Sequence, residues 1–405
     1  MERPYGKLVI NGKAERVLRT GHPWVYGEEV LSAESCVNGA IVDVYSQKGR
    51  WLGAGFYNDN SKIRVRILSR NANDRFDEAF WERRLRWSVA YRLRVMGPDF
   101  SSCRLIFGEA DGLPGLTVDK FEDILVIQTM CLGVELLKPV LIPLLVDILR
   151  SCGAAVRAVY ERNDAALRAK EGLESGKGFF AAPGLETGLD GHVLIRENGI
   201  KYDVDYINGQ KTGFFLDQKY NRAAIARLAA GQRVLDCFTH TGAFALNCAM
   251  AGAGHVTAVD VSEEALASAR RNAALNGLSN VEFLQADVFD LLTELSTQKK
   301  GAYDLIILDP PAFTKSGATV KNAVRGYKDI NMRAMKSLPR GGFLATCSCS
   351  HFMTNELFFK MLREAAADAA VELRQVEFRQ QGPDHPIALH IPETDYLKFY
   401  ILQVI

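Results

Sequence analysis

The side chains best suited to chemistry fall in the C-terminal half of the chain, at regular positions. Acidic residues close four successive apolar runs: Asp236 in RVLDCF, Asp260 in HVTAVD, Asp287 in VEFLQAD and Asp309 in DLIILDPP. A fifth run closes on LATCSCSHF, which sets Cys347 and Cys349 two positions apart. On an extended backbone side chains at i and i+2 point the same way, and a disulfide between them would close a strained ring. The pair is therefore either two small core side chains or a nucleophile with a neighbour.

Each aspartate alone could cap the helix that follows it. Four at four consecutive strand ends say more, because ligands of open α/β sheets bind beyond the carboxyl ends of the strands. Only Gly242 occupies the turn CFTHTGAF after the first strand. A dinucleotide site needs several glycines there to admit a pyrophosphate, which disfavours a nicotinamide dehydrogenase. A ligand without phosphates has no such need. Asp260 can accept both hydroxyls of a ribose. Asp287 suits the exocyclic amine of an adenine, with Val288 as an apolar edge. This series, ending in Asp309-Pro310-Pro311, resembles the class I S-adenosylmethionine (SAM) methyltransferases and implies SAM as cofactor. Upstream, NGQKTGFFLDQKYNR (208–222) reads as a lid over the cofactor, with Lys211 and Thr212 near its methionine carboxylate. Gln210, Asp217, Asp236, Thr239, Gly242, Ser262 and Asp309 complete the candidate cofactor set.

The elements that must position these groups divide the chain in three. Residues 191–405 alternate short β-branched runs with helical stretches, the pattern of a doubly wound, mostly parallel sheet. Residues 1–75 carry the short strands KLVING, AIVDVYS, WLGAGFYN and SKIRVRILS, which suggest a small β-barrel. Residues 76–190 mix helix and strand around the turn DGLPG and suggest a small α+β domain with no catalytic constellation.

Composition narrows the class. At 405 residues the chain exceeds one core, and 48% hydrophobic with 24% charged residues is ordinary for a globular protein. No apolar run is long enough to span a membrane, and the N-terminus lacks the pattern of a secretory signal. Eight scattered cysteines without framework spacing suggest reduced thiols in a cytoplasm. No CxxC, HExxH or His/Cys cluster points to a metal. The net charge of +1 is unevenly spread: residues 1–75 hold 12 Lys/Arg against 8 Asp/Glu. FWERRLRWSVAYRLRVM (80–96) then brings five arginines and four aromatics. That stretch is either an amphipathic helix with solvated arginines or a surface for phosphates and stacked bases.

GHPWVYGEEV, DGLPGLTVD, GQKTGFFLDQ, LDPPAFTKS, RGYKDINMRA, CSCS and DHPIALHIPETDYLK, spread over the whole chain, together resemble the large-subunit ribosomal RNA methyltransferase I family. The resemblance implies a PUA domain that binds RNA, then a small α+β domain, then a Rossmann-like class I methyltransferase domain. It also implies that the reaction forms 5-methylcytosine in 23S rRNA, with Cys349 as nucleophile and Asp309 as the acid of the substrate-facing motif. His351 stands where relatives often carry glycine, and Cys347 where a larger apolar residue is common. Ala312 follows Pro311, so the second cysteine of the two-cysteine RNA cytosine methyltransferases is absent from that loop.

A thiol fits this chemistry, since carbon 5 of cytosine becomes nucleophilic only after a thiolate adds at carbon 6. Asp309, hydrogen-bonded to N3 and the exocyclic amine, must share or donate a proton, so its pKa is expected to be raised. Pro310, Pro311, Phe313 and Lys315 are expected to face the substrate, single-stranded or flipped-out RNA. Two other readings remain: a methyltransferase acting on an exocyclic amine or another base, which needs no thiol, and a SAM-binding RNA assembly factor without catalysis. The oligomeric state stays open between monomer and homodimer.

Overall fold

The computed structural model describes residues 3–298, 300–314 and 316–405. They fall into two compact units. One is built from the chain up to Leu194 together with Val204–Leu216 and Pro383–Thr394; the other comprises Ile195–Asp203, Asp217–Gly382 and Asp395–Ile405. Segments 204–216 and 383–394 thus belong to the first unit, although their position in the chain groups them with 191–405.

The first unit holds two sheets. Gly6–Ile10, Trp24–Tyr26, Val30–Glu34, Ile41–Ser46, Trp51–Tyr57 and Ile63–Ser69 form a six-stranded sheet over a core that includes Leu8, Ile10, Val42, Val44 and Val65. Four of these strands are the four runs read from sequence. The other two, and the helix Gly12–Arg19 capped by the Asn11 side chain, lie in turn-rich sequence too short to show a period. The second sheet has five strands in chain order, Ser102–Phe107, Leu116–Phe121, Ile124–Thr129, Ala158–Asn163 and Gly176–Phe179.

The arginine-rich stretch is the helix Glu78–Met96, capped by Asp77. Its side chains divide by face, as an amphipathic helix requires. Phe80, Trp81, Leu85, Val89 and Met96 are buried, and Arg92 turns inward to pair with Asp111. Arg83, Arg86, Trp87, Tyr91 and Arg94 are exposed, Trp87 to 60%.

The second unit is organised on a seven-stranded sheet in the order Val281–Gln285, His255–Asp260, Arg233–Cys237, Leu305–Leu308, Phe343–Ser348, Lys398–Val404, Leu373–Arg379. The first five are parallel, and Lys398–Val404 runs antiparallel to both neighbours. Alternation along each strand feeds two cores. Ile306, Leu308, Leu344, Tyr400 and Leu402 face one side; Leu305, Ile307, Ala345, Cys347, Phe399 and Ile401 face the other. Burying each large side chain contributes roughly 1.5–3 kcal/mol, which fixes the strand register and so the height of every strand end. The order reverses between Arg233–Cys237 and Leu305–Leu308, and a crevice opens at such a switch point.

Candidate active site

Asp236, next to last in Arg233–Cys237, and Asp309, just after Leu305–Leu308, lie at the carboxyl ends of the two strands that flank this switch point. Asp236 is fully buried, and its Oδ2 accepts from the Thr239 hydroxyl at 2.6 Å and the Ala245 amide at 2.9 Å. The turn these bonds hold is unusual: Phe238, His240 and Gly242 have φ of 63°, 50° and 83°. Left-handed non-glycine residues store strain of roughly 1–3 kcal/mol each and persist where the surroundings over-determine them. At Gly242 a Cβ would come within 3.0 Å of the Ala269 Cβ, so the turn can lie this close to the helix Glu263–Leu275 only without a side chain.

Asp260 accepts from the His240 amide at 2.9 Å and the Ser262 amide at 3.0 Å, and Ser262 caps the following helix. Two backbone donors leave each oxygen a lone pair for a further hydroxyl. Asp287 is exposed and accepts from the Phe289 amide at 2.7 Å, while Val288 behind it is buried. Beside these acids Val261 is 69% and Phe289 36% exposed, two apolar surfaces the sequence reading did not single out.

Asp309 accepts at Oδ1 from the Cys347 thiol, 2.8 Å away, and from the Gln218 amide at 3.2 Å. Burial pushes the Asp309 carboxyl up to about 6, and the neighbouring Asp217 adds to the effect. Burial likewise raises Asp236 to about 7, with Asp309 and Asp260 contributing. Cys347 is fully buried and its thiol is pushed well up by burial, then by the adjacent carboxylate. It is thus both a core side chain and a hydrogen-bond donor. Cys349, half-buried, follows the last strand residue Ser348 on the same carboxyl edge of the sheet.

The other candidates are placed as follows. Asp217 accepts from the Tyr396 hydroxyl at 2.6 Å. Gln210 and Lys211 are exposed in the first unit. Thr212, also in that unit, is buried, and its hydroxyl is committed to Asp119 at 2.5 Å. Pro310 is buried and Pro311 exposed. Phe313 packs on Tyr327, ring centroids 4.6 Å apart. Lys315 lies outside the described residues. His351 is exposed, its ring against Phe352. Gln218, Cys347 and Lys398 are the groups the sequence reading left without a role. Their only signal is membership of the motifs GQKTGFFLDQ, CSCS and DHPIALHIPETDYLK.

The donor set suits a cationic nucleoside. Asp309 and Asp260 add to the rise at Asp236, and Asp217 to that at Asp309; Oδ1 of both Asp217 and Asp236 is buried with no hydrogen-bond donor among the described residues. An ammonium beside a sulfonium supplies what these atoms lack. Among the described residues no group of three or more His, Cys, Asp or Glu is arranged to hold a metal ion, and no helix is long and apolar enough to cross a membrane.

Comparison with known proteins shows the family. The sequence profile of S-adenosylmethionine-dependent methyltransferases matches residues 174–394, and that of PUA-like domains matches residues 8–70. The ribosomal RNA large subunit methyltransferase I of Klebsiella pneumoniae strain 342 is 40% identical over 404 residues, covering 99% of this chain and 98% of that protein. Its namesake from Shewanella denitrificans is 42% identical over 407 residues, covering 98% and 99%. The chain belongs to the ribosomal RNA large subunit methyltransferase I family. Like other members it is a SAM-dependent methyltransferase with a PUA-like domain before the Rossmann-like domain. The crystal structure of SMU.776 complexed with SAH shares the fold at a TM-score of 0.83 and 22% identity, covering 98% of this chain and 100% of that one. SAM is accordingly the cofactor.

Proposed function

We propose that this enzyme forms 5-methylcytosine in 23S ribosomal RNA, in the cytoplasm, through a transient bond between Cys349 and carbon 6 of the ring. The observation that carries the reading is the Cys347–Asp309 contact of 2.8 Å. It ties the strand end bearing Cys349 to the carboxyl of the DPP motif, so that thiol and acid share one rim. The relatives' printed names supply the substrate, large-subunit ribosomal RNA.

When bound, SAM supplies an electrophilic methyl group. The chain's own residues do the rest. Cys349 loses its proton to solvent, and its sulfur forms the bond to carbon 6 while the carbon 5–carbon 6 π electrons move onto the ring. Asp309, held above the usual carboxylate range, donates or shares a proton at N3 and accepts from the exocyclic amine, which stabilises the adduct. After methylation at carbon 5, a water takes the carbon 5 proton. The electrons left behind restore the double bond and expel the Cys349 thiolate, and N3 returns its proton to Asp309. Asp260 orients the ribose, and Asp236 with Asp217 receives the ammonium.

Holding a polyanion with one base flipped out calls for phosphate contacts and stacking surfaces. The PUA-like domain and the outer face of helix Glu78–Met96, where the Arg83 guanidinium lies 5.7 Å from the Trp87 ring, have that character. The reading is tested by incubating the enzyme with labelled SAM and unmodified ribosomal RNA, then digesting to nucleosides. Label in 5-methylcytidine is the expected result. Label on an exocyclic amine or another base overturns it.

A further inference from the structure

Lys398 opens the strand Lys398–Val404 opposite Ser348, and only 2% of it is exposed. Its Nζ donates to the carbonyl of Ser350 at 2.6 Å and to that of Tyr396 at 2.8 Å. Among the described residues no carboxylate lies within ion-pair distance of it. A buried ammonium held by carbonyls alone pays heavily in lost hydration, and a neutral residue would fill the space at lower cost. What distinguishes the position is its neighbour. Lys398 pairs with Ser348 and reaches Ser350, so its side chain brackets Cys349.

We propose that Lys398 is a positioning residue for Cys349: its ammonium pins the turn at Ser350 and supplies the positive field that favours the thiolate. Ser350 is fixed from the other side as well, its hydroxyl donating to the Thr314 carbonyl at 3.0 Å. The turn is therefore tied both to the last strand and to the DPP loop. The titratable and charged groups coupled to Lys398 and Cys349 among the described residues include Tyr327 from the helix Val320–Ser337, Asp395 before Lys398, and Cys347, through which Asp309, with Asp217 and Arg222 about it, adjoins the turn. Three are carboxyls, which oppose a thiolate; Lys398 is the cation placed against them at this turn. Burial lowers the ammonium to about 8, against the opposing pull of Asp395, Cys349 and Cys347. A thiolate at Cys349 thus keeps Lys398 charged, and a charged Lys398 favours the thiolate. The thiol proton goes to solvent, and Lys398 keeps its own.

The inference rests on Cys349 as nucleophile, but its test does not need methyl transfer. The pH dependence of iodoacetamide alkylation is followed by mass spectrometry at Cys349 in the full-length protein, with the exposed Cys152 as internal reference. The Cys349 midpoint is expected below that of Cys152. Lys398→Gln keeps donors for both carbonyls and loses the charge; it should raise the Cys349 midpoint by about one pH unit, a tenfold loss of thiolate near neutrality. Lys398→Arg should stay near the wild type. A wild-type midpoint at or above that of Cys152, or Gln and Arg variants that titrate alike, overturns the proposal. Should Lys398→Gln fail to fold, the wild-type comparison still decides. Methyl transfer surviving in Cys349→Ala would instead refute the nucleophile and leave this titration readable.

Discussion

The thiol of Cys347 donates to Oδ1 of Asp309 across 2.8 Å, and the Gln218 amide donates to the same oxygen at 3.2 Å. Both donors favour the carboxylate over the acid and so oppose the burial that holds this group near 6. Cys347 therefore tunes the acid, and under the proposed mechanism the covalent work falls to Cys349.

Replacing Cys347 with alanine should move the Asp309 pKa further up. The limb of the kcat/KM profile that reports this group should shift to higher pH, with turnover falling by about tenfold or less. Asp309→Asn, which keeps a hydrogen-bonding side chain but not the proton equilibrium, should lose on the order of 10²–10³-fold in kcat. A Cys347→Ala profile that superimposes on the wild type would show that the bond does not govern the carboxyl.

Cofactor affinity should depend on pH in a direction these acids fix. Asp236 titrates near 7 and Asp309 near 6, both above the usual carboxylate value, so the folded apoenzyme holds protons that the unfolded chain has already lost. Their contribution to stability is thus complete below the unfolded carboxylate pKa, and it declines as pH rises toward 7. A cation bound among them prefers the ionised forms. SAM should bind more tightly at pH 7 than at pH 5 and release protons as it binds, measurable by calorimetry in buffers of different ionisation enthalpy. Asp236→Asn should flatten the upper part of that dependence; an unchanged curve would remove Asp236 from the cofactor's surroundings.

Gly242 tests the turn itself. Alanine there must adopt φ near 83° and bring its Cβ to 3.0 Å from that of Ala269. The variant should be less stable by about 1–2 kcal/mol, seen as a lower melting temperature, and should bind SAM more weakly. A melting temperature equal to the wild type's would mean that the helix Glu263–Leu275 yields readily.

RNA binding should weaken steeply with salt, because each neutralised phosphate contributes about 0.9 to the slope of log K against log[salt] for a duplex and about 0.7 for a single strand. Arg83→Gln, Arg86→Gln and Arg94→Gln should each lower that slope by nearly one, whereas Trp87→Ala should weaken binding by about 1–3 kcal/mol without changing it. These side chains are exposed while Arg92 is wholly buried, so Arg92→Gln should affect folding before it affects the slope.

How much of this could be read from sequence depends on the range of the interaction. The strand–helix alternation of the second unit and the four strand-end aspartates are local patterns, and the sheet places Asp236 and Asp309 side by side because its order reverses between their strands. The arginine helix was ambiguous because one stretch serves two faces, and only packing separates Arg92 from Arg83. The bond from Cys347 to Asp309 spans 38 residues and two strands, and the reach of Lys398 to Ser350 spans 48. No periodicity encodes either. Thr212 shows the same limit from the other side: in sequence it is a polar group before a helix, and in the fold its hydroxyl is spent on Asp119.

The covalent step can be caught by denying it an exit. An enzyme that adds sulfur to carbon 6 can release its product only if carbon 5 loses a proton after methylation. With fluorine in place of that hydrogen no proton is available, and the sulfur–carbon bond should persist. Ribosomal RNA containing 5-fluorocytidine, incubated with enzyme and SAM, should therefore give a protein–RNA adduct stable in denaturing gels. The adduct should map to Cys349, be absent in Cys349→Ala, and still form in Cys347→Ala, whose lost thiol touches Asp309 rather than the ring. An exocyclic-amine methyltransferase would leave the fluorinated ring unbonded and turn over normally. An adduct at Cys347 would exchange the roles of the two sulfurs, and the 2.8 Å contact with Asp309 would then join nucleophile and acid directly.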